Sequence, residues 1–310
     1  MKISVIINNY NYQEYVIDAI DSVLNQTVAP DEIIVVDDRS SDRSAEILLD
    51  KFSDSKAVRL VLKEQNEGQL SAFEAGFSTS TGELICFLDA DDLYQETYLE
   101  NILKFYQEHP ECEFLFTCAE IFGNEERVAS CHSHTRDLGY SKISALYRRN
   151  WVGHRTSTLS MRRHVLDKIF PIPYLEDWRI RADDCLVYGA SIANARKFYL
   201  ALPLVRYRVH GQNGHYGQTK SRPVEYFQQY EAALDRLFKF WVKKFNYSDH
   251  LDQQAPIEFQ TIPHPTKEEF ELFRSISRCS KASKPRKLLM LASVYSHYFR
   301  HGDFKQDPKA

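Results

Sequence analysis

The feature that most constrains the fold is an apolar run, LICFLDADD (84–92), that ends abruptly in three carboxylates. Its apolar residues are continuous, which is typical of a strand buried on both faces in a helix-covered parallel sheet. Carboxylates this close repel one another unless a cation or hydrogen-bond donors hold them. Asp89, Asp91 and Asp92 therefore predict either an acidic turn that caps the next helix or a site for a hard cation.

Strands and helices alternate along the N-terminal part of the chain. Strands are predicted at Ile3–Ile7, Glu32–Val36, Val58–Leu62 and Glu83–Leu88. Helices between such strands give a parallel sheet wound by right-handed crossovers, so the strand ends meet at one edge. Three ends carry polar residues: 8–10, 37–38 and 89–92. Because open α/β sheets bind ligands at this edge, the convergence indicates a nucleotide site.

The pattern changes near residue 220. Upstream of it, 197–201 and 205–209 are predicted to be two short strands around Pro203. Downstream, a helix is predicted behind Pro223 with an apolar stripe from Val224 and Phe227 to Trp241, and residues 246–265 are predicted to be a loop. We therefore expect an α/β catalytic domain over residues 1–218 and a helical C-terminal extension over 219–310.

Two sequence signatures predict where helices begin. Thr97 precedes Glu100 and Thr266 precedes Glu269, the spacing of a capping box. A later helix, at 288–299, follows the basic segment KPRK (284–287). A basic segment before an apolar helix permits contact with a membrane surface, although apolar stripes more often face protein. Packing on the catalytic domain, a homo-oligomer contact and peripheral membrane contact all stay open.

Composition excludes several classes of protein. The 310 residues carry 39 basic and 43 acidic side chains, so no nucleic-acid partner is expected. No apolar run approaches the ~20 residues of a membrane span. The six cysteines form no Cys-x-x-Cys pair, and the first residues resemble a strand without a signal-peptide cleavage region. We expect a soluble cytoplasmic protein, with the inner face of the membrane as the alternative location.

Four segments, in this order, carry a resemblance to a known family: VIINNYN (5–11), IDSVLNQT (20–27), EIIVVDDRS (32–40) and GELICFLDADD (82–92). They resemble glycosyltransferase family two, and the resemblance covers residues 1–215. It implies the GT-A fold, a Rossmann-like, mostly parallel nucleotide-binding sheet flanked by helices. It also implies an inverting, metal-dependent enzyme that uses a nucleotide-sugar donor.

The resemblance implies which residues contact the nucleotide. It implies that Asn8 and Tyr10 lie beside the base and that Asp38 accepts a hydrogen bond from uracil N3–H, which favours a UDP-sugar. Gly68 would let the backbone approach the nucleotide closely. Asp89 would meet the ribose or a metal-bound water.

The resemblance also implies a metal ion, Mn²⁺ or Mg²⁺, on the diphosphate. Asp91 would hold it, with Asp92 nearby. His210 would complete the ligand set or donate to the diphosphate, and a purely structural role for this histidine is an open alternative.

The family's catalytic base is an acid at the start of a helix after the acceptor-binding region. The best match here is ADDCL (182–186), which makes Asp184 the first candidate and Asp183 the second. Asp177, in EDW (176–178), is a competing match, and each acid could instead cap a helix. The expected acceptor is a hydroxyl of a glycan or of a lipid-linked glycan, and residues 119–180, including His154, Arg155 and Trp178, are expected to line its pocket.

Other functions remain as alternatives. A sugar-nucleotide pyrophosphorylase would carry a Gly-rich basic loop after its first strand, whereas this chain has NNYN (8–11). A non-catalytic nucleotide-binding, glycan-binding or scaffold protein would have lost the metal acids or the base. A retaining transferase would not need the candidate base.

Overall fold

The computed structural model describes residues 1–211, 213 and 222–303. Its strands are β1 (Ile3–Asn9), β2 (Glu32–Asp37), β3 (Val58–Leu62), β4 (Leu84–Asp89), β5 (Leu93–Tyr94), β6 (Phe114–Gly123), β7 (Arg127–Ala129), β8 (Arg136–Gly139), β9 (Leu159–Arg162) and β10 (Lys197–Val209). Its α-helices are α1 (Val16–Leu24), α2 (Ser44–Phe52), α3 (Gln69–Thr79), α4 (Tyr98–Glu108), α5 (Lys142–Arg148), α6 (Arg163–Ile169), α7 (Ala182–Ile192), α8 (Val224–Lys244), α9 (Ala255–Phe259), α10 (Lys267–Cys279) and α11 (Lys284–His301). Short 3₁₀ helices cover Thr156–Thr158, Leu175–Trp178 and Leu251–Gln254.

The strands form one mixed sheet in the order β3-β2-β1-β4-β9-β6-β10-β5, with β7 beside β6 and β8 beside β10. The first four strands are parallel, as predicted from the alternation of strands and helices. Asn8 pairs with Val36 on one side and with Asp89 on the other, so the polar strand ends lie next to one another. Beyond β4 the sheet is mixed, because β9 runs antiparallel to both of its neighbours.

Helices cover the sheet on both faces, which explains the continuous apolar runs. In β1, Ile6 packs in the core beneath α3, α6, α7 and α8, whereas Ile7 packs in the core beneath α1, α2 and α4. Phe87 and Leu88 of β4 divide between the same two cores. All four side chains are fully buried, so neither strand has a polar face.

Two local predictions differ from the structure. The strands expected on either side of Pro203 are one strand, β10, whose register against β6 shifts around that proline. The capping box predicted at Thr97 is wrong, because the Thr97 side chain makes no capping bond and Glu100 instead accepts from the Thr27 hydroxyl at 2.9 Å. The second predicted capping box is confirmed, with the Thr266 side chain accepting from the backbone of the third helical residue.

The C-terminal helices pack against the sheet domain along α8. Leu237 and Trp241 of α8 are fully buried in the same core as α7. Val224 and Phe227, predicted to belong to the buried stripe, are 67% and 40% exposed, so the stripe begins later than predicted. The segment predicted to be a loop (246–265) contains α9. The predicted boundary at residues 218 and 219 lies outside the described part of the chain.

Helix α11 has one buried side and one exposed side. Met290, Val294 and Tyr298 are buried, and the last two pack against α9 and α10. Leu288 and Phe299 are each 68% exposed. Among the described helices, none combines the length and apolar character needed to cross a bilayer. Contact of α11 with a membrane surface or with a second copy of the chain stays a prediction.

Candidate active site

A cleft of about 980 Å³ lies where β1, β2 and β4 end. Eight of the ten predicted site residues line it, and Asp92 and His210 are not part of its lining. The eight are Asn8, Tyr10, Asp38, Gly68, Asp89, Asp91, Asp183 and Asp184. The structure therefore brings together acids that are far apart in the chain, since Asp38 and Asp184 are separated by 146 positions.

The Asp38 carboxylate lies at the β2 end of the cleft and already has three protein donors. Its Oδ1 accepts from Lys63 Nζ at 2.5 Å and from the Glu67 amide at 3.1 Å. Its Oδ2 accepts from the Gly68 amide at 2.6 Å. Because a carboxylate oxygen can accept two hydrogen bonds, Oδ2 keeps capacity for one further donor. Nearby, Asn8 Oδ1 is buried without a hydrogen-bond partner among the described residues.

Gly68 is required by the protein's own backbone. Its φ is +95°, and a Cβ at this position would lie 2.3 Å from the Cα of Arg179. The next amide, of Gln69, donates to the Arg179 carbonyl at 3.0 Å. The close approach seen in the structure is therefore between two loops of the cleft, a different reason for glycine from the predicted approach to a nucleotide.

Asp91 and Asp92 have different surroundings despite their adjacency. Asp91 Oδ2 lies 3.0 Å from His210 Nε2. Asp92 is fully buried, and its two oxygens accept from the Arg208 amide at 2.8 Å and from the Ser157 hydroxyl at 2.5 Å. Burial and the neighbouring Asp91 charge raise the pKa of Asp92. Both oxygens of Asp92 thus bind protein donors, which gives this acid a structural task in the loop.

The pair formed by Asp91 and His210 fits a divalent cation. An octahedral ion with bonds of about 2.1 Å places adjacent ligand atoms about 3 Å apart, which is the separation of Asp91 Oδ2 and His210 Nε2. No group of three or more His, Cys, Asp or Glu side chains within the described ranges is arranged to hold a metal.

Gln69 connects the acidic strand end to the first turn of α7. Its Nε2 donates to Asp89 Oδ1 at 3.1 Å, and its Oε1 accepts from the Ala182 amide at 3.0 Å. Burial, followed by the Asp91 charge, raises the pKa of Asp89 to about 7. Gln69 is not among the predicted site residues, although its position directly after Gly68 was a usable signal.

The two acids of α7 differ in their partners. Asp184 is 2% exposed, and its Oδ2 accepts from the Tyr230 hydroxyl at 2.9 Å and pairs with Arg181 Nη2 at 2.9 Å. Asp183 has weaker support for its ionised form, which comes from the Arg181 charge and from the backbone amide of Asp184. Burial, and then the Asp184 charge, raises the pKa of Asp183 to about 8.

These surroundings separate the charge states of the pair. Burial also raises the pKa of Asp184, but Arg181 and Tyr230 oppose that effect by favouring the ionised form. Of the two acids, Asp184 therefore has the surroundings that better support a negative charge, and Asp183 has those that better support a proton.

The competing candidate, Asp177, lies outside the cleft lining. Both of its oxygens are held by Arg236 of α8, at 3.0 Å from Nε and 2.6 Å from Nη2. The adjacent Trp178 is 1% exposed. Asp177 therefore links its loop to α8 through the ion pair with Arg236.

A second cavity of about 1,040 Å³ adjoins the cleft and shares Arg179 with it. It lies among α3, the loop at 171–176 and α8, and it contains none of the predicted site residues. The convergence of acids occurs in the other cleft, which we take as the candidate active site.

Residues 4–170 match the model of the family described as Glycosyl transferase family 2. The chain belongs to glycosyltransferase family 2. It is therefore a glycosyltransferase enzyme. A glycosyltransferase of Nostoc sp. that has no assigned function, alr2836, is 31% identical over 277 residues, which cover 88% of this chain and 85% of the relative.

Other proteins match over a shorter stretch or at lower sequence identity. The minor teichoic acid biosynthesis protein GgaB of Bacillus subtilis is 40% identical over 109 residues, 34% of this chain and 12% of that protein. The crystal structure of S. aureus TarS 1–349 in complex with UDP-GlcNAc superposes with a TM-score of 0.58 at 18% identity, covering 98% of this chain and 93% of the other. The likeness to TarS confirms the predicted GT-A fold. The family match ends at residue 170, before α7 begins.

Proposed function

We propose that this glycosyltransferase moves a sugar from a UDP-sugar to a hydroxyl of a glycan or lipid-linked glycan, in a single displacement that inverts the anomeric carbon. The observation that carries the proposal is the single cleft that contains the nucleotide-side residues, the Asp89–Asp91 edge and the α7 acids. TarS, which shares the fold, has been crystallised with UDP-GlcNAc, and this supports UDP as the nucleotide. GgaB, by its name, belongs to teichoic acid biosynthesis, which supports a cell-surface glycan as the acceptor class.

The proposed roles follow the cleft from one end to the other. Asn8 and Tyr10 lie beside the base, and the free acceptor position on Asp38 Oδ2 receives uracil N3–H. Asp89, held by Gln69, faces the ribose.

Asp184 is the proposed base. Its ionised carboxylate accepts the proton of the acceptor hydroxyl as the oxygen bonds to the anomeric carbon. The bond from that carbon to the diphosphate breaks, and its electron pair leaves with UDP. Asp184 then returns the proton to solvent, and no covalent intermediate on the protein is required.

Asp91 and His210 are the residues that would hold Mn²⁺ or Mg²⁺. Such an ion, when bound, would neutralise the charge that the diphosphate gains on leaving. Asp92 would keep the loop in place through Arg208 and Ser157, since both its oxygens already bind protein donors.

Two alternatives are less well supported by the site. A pyrophosphorylase would need basic groups after β1, where the chain has Asn8, Asn9, Tyr10 and Asn11. A non-catalytic scaffold would not need a buried carboxylate held by Arg181 and Tyr230 in the same cleft.

The test is calorimetric titration of UDP with and without Mn²⁺. Wild-type binding is expected to need the metal, and Asp91→Ala is expected to abolish the metal-dependent part. Asp50→Ala, at an exposed position of α2, is the matched control and should bind as wild type does. Failure of the wild type to bind UDP or any other nucleoside diphosphate would overturn the proposal.

Donor and stereochemistry require a second measurement. UDP-sugars, beginning with UDP-GlcNAc, are incubated with the enzyme and candidate glycan acceptors, and the product is examined by NMR. A product with inverted anomeric configuration is expected. Retention of configuration would remove Asp184 from the role of base.

A further inference from the structure

We propose that α8 completes the active site by supplying Tyr230, a positioning residue that holds the carboxylate of Asp184 in the orientation needed for proton transfer. The inference rests on the proposed function, because Asp184 is the base of that reaction. The family match ends at residue 170, so it assigns no role to this helix.

Three groups meet in a closed triangle at this point. The Tyr230 hydroxyl donates to Asp184 Oδ2 at 2.9 Å. Arg181 Nη2 donates to the same hydroxyl at 2.9 Å and forms an ion pair with the same Oδ2, also at 2.9 Å. Both of these contacts fall on Oδ2, and the Trp151 side chain also favours the ionised carboxylate.

The Tyr230 ring is itself fixed on two sides. The guanidinium of Arg181 lies 4.0 Å from the ring centroid, within cation–π range. The Trp178 ring meets it edge-on, with centroids 6.1 Å apart and planes at 79°. A ring held in this way directs its hydroxyl along one line, so the hydrogen bond to Asp184 is preorganised.

Helix α8 is docked firmly enough to hold that position. Arg236 pairs with Asp177 at 2.6 Å, and Lys244 donates to the carbonyls of Ile169 and Phe170 at 3.1 and 3.0 Å. Trp241 is fully buried. These contacts fasten α8 to α6 and to the loop that leads into α7.

Several ionisable groups surround Asp184, so the hydrogen bond that Tyr230 donates affects the pKa of this acid. Asp183, Cys185 and Tyr188 face it from its own helix, Arg181 faces it from the preceding loop, and Tyr230 faces it from α8. Burial and the Asp184 charge raise the pKa of Tyr230, so the phenol keeps its proton and remains a donor. Loss of this donor removes one of the groups that favour ionised Asp184 and leaves Arg181 and Trp151.

The experiment compares Tyr230→Phe with Tyr247→Phe. Tyr247 follows α8, and its hydroxyl donates to the Ile192 carbonyl at 2.7 Å, so its variant also loses one tyrosine hydrogen bond but leaves Asp184 untouched. UDP release from UDP-GlcNAc with Mn²⁺ and water as acceptor is measured across pH, and UDP binding is measured by calorimetry.

Tyr230→Phe is expected to lower kcat by about tenfold to a hundredfold, the range for a hydrogen bond to a charged group. UDP affinity should be unchanged, and the acid limb of the pH profile should move to higher pH because the Asp184 pKa rises. Tyr247→Phe should match the wild type in both respects. A wild-type kcat and an unmoved acid limb in Tyr230→Phe would overturn the inference.

A second measurement needs no substrate. The ¹³C carboxyl signal of Asp184, assigned as the signal missing from Asp184→Asn, is titrated in wild type and in both phenylalanine variants. The pKa should rise only in Tyr230→Phe, and an unchanged pKa there would refute the contact. If the wild type neither binds UDP nor releases it, the proposed function fails, while this titration still decides the Tyr230 contact.

Discussion

Replacing Asp183 by asparagine should leave turnover nearly unchanged at neutral pH and alter it in alkaline solution. With a pKa of about 8, roughly one-tenth of Asp183 is ionised at pH 7 and roughly nine-tenths at pH 9. Asparagine has the shape and the neutrality of the protonated acid. The variant should therefore resemble wild type wherever Asp183 holds its proton.

The size of the alkaline effect follows from the dimensions of the cleft. A space of about 980 Å³ is roughly 10 Å across, and each pair of like unit charges that far apart repels by about 1 to 2 kcal/mol at an effective dielectric constant of ~20. Wild-type kcat/KM for UDP-GlcNAc should thus fall by about tenfold from pH 7 to pH 9 as Asp183 ionises. Asp183→Asn should stay flat over that range.

Stability gives the same prediction in a second assay. Because the folded pKa of Asp183 is raised from 3.8 to about 8, the folded state holds an extra proton between those values, and stability is lost as pH rises through that window. The shift corresponds to at most about 6 kcal/mol, reduced because Asp183 borders the open cleft. In urea unfolding, the free energy of unfolding of Asp183→Asn relative to that of wild type should therefore increase between pH 5 and pH 8.

Asp184→Asn is the necessary comparison. Loss of a general base typically lowers kcat by about 10²- to 10⁴-fold, and UDP binding should persist because the nucleotide residues are intact. If Asp183→Asn were the inactive variant and Asp184→Asn kept its turnover, the charge assignment for the pair would be reversed and the reasoning refuted.

Gly68→Ala should lose about 1 to 3 kcal/mol of stability from its positive φ alone, and more because its Cβ would contact the Arg179 backbone. Urea unfolding should show lower stability and UDP titration should show weaker binding. Wild-type results in both assays would contradict the prediction. Thr266→Ala should cost about 1 kcal/mol, because it removes a capping box with Glu269 that the structure shows. Thr97→Ala should cost less, because its side chain caps nothing, and equal losses in the two variants would count against the structural distinction.

The parallel half of the sheet could be predicted from sequence because its signals are local. Continuous apolar runs place β1, β2 and β4 between two layers of helices, and parallel pairing then brings Asn8 beside Asp89. Chain spacing was a poorer guide to capping. Thr97 and Thr266 are both followed by Glu three positions later. Glu100, however, accepts a hydrogen bond from Thr27, which is 73 positions away in the chain, and it forms no capping box with Thr97.

Contacts between distant positions could not be predicted. Tyr230 lies 46 positions after Asp184, and no periodicity or motif links a tyrosine in one helix to an acid in another. Asp92 was predicted as a metal ligand because its sequence neighbours are acids, and that role stays untested. Its partners, Ser157 and Arg208, are 65 and 116 positions away and become visible only in the fold.

The division of the cleft between two parts of the chain bears on how such an enzyme could diversify. One wall comes from β1, β2 and β4 and carries the residues proposed to bind the nucleotide. The other comes from α7 and α8, beyond the residues that match the family model, and carries the proposed base. The Gln69 side chain connects the two walls, because it forms one hydrogen bond with Asp89 and another with the Ala182 amide. The α7–α8 wall could thus change to accept a new acceptor, while Gln69 keeps the positions of the donor site and the base fixed relative to each other.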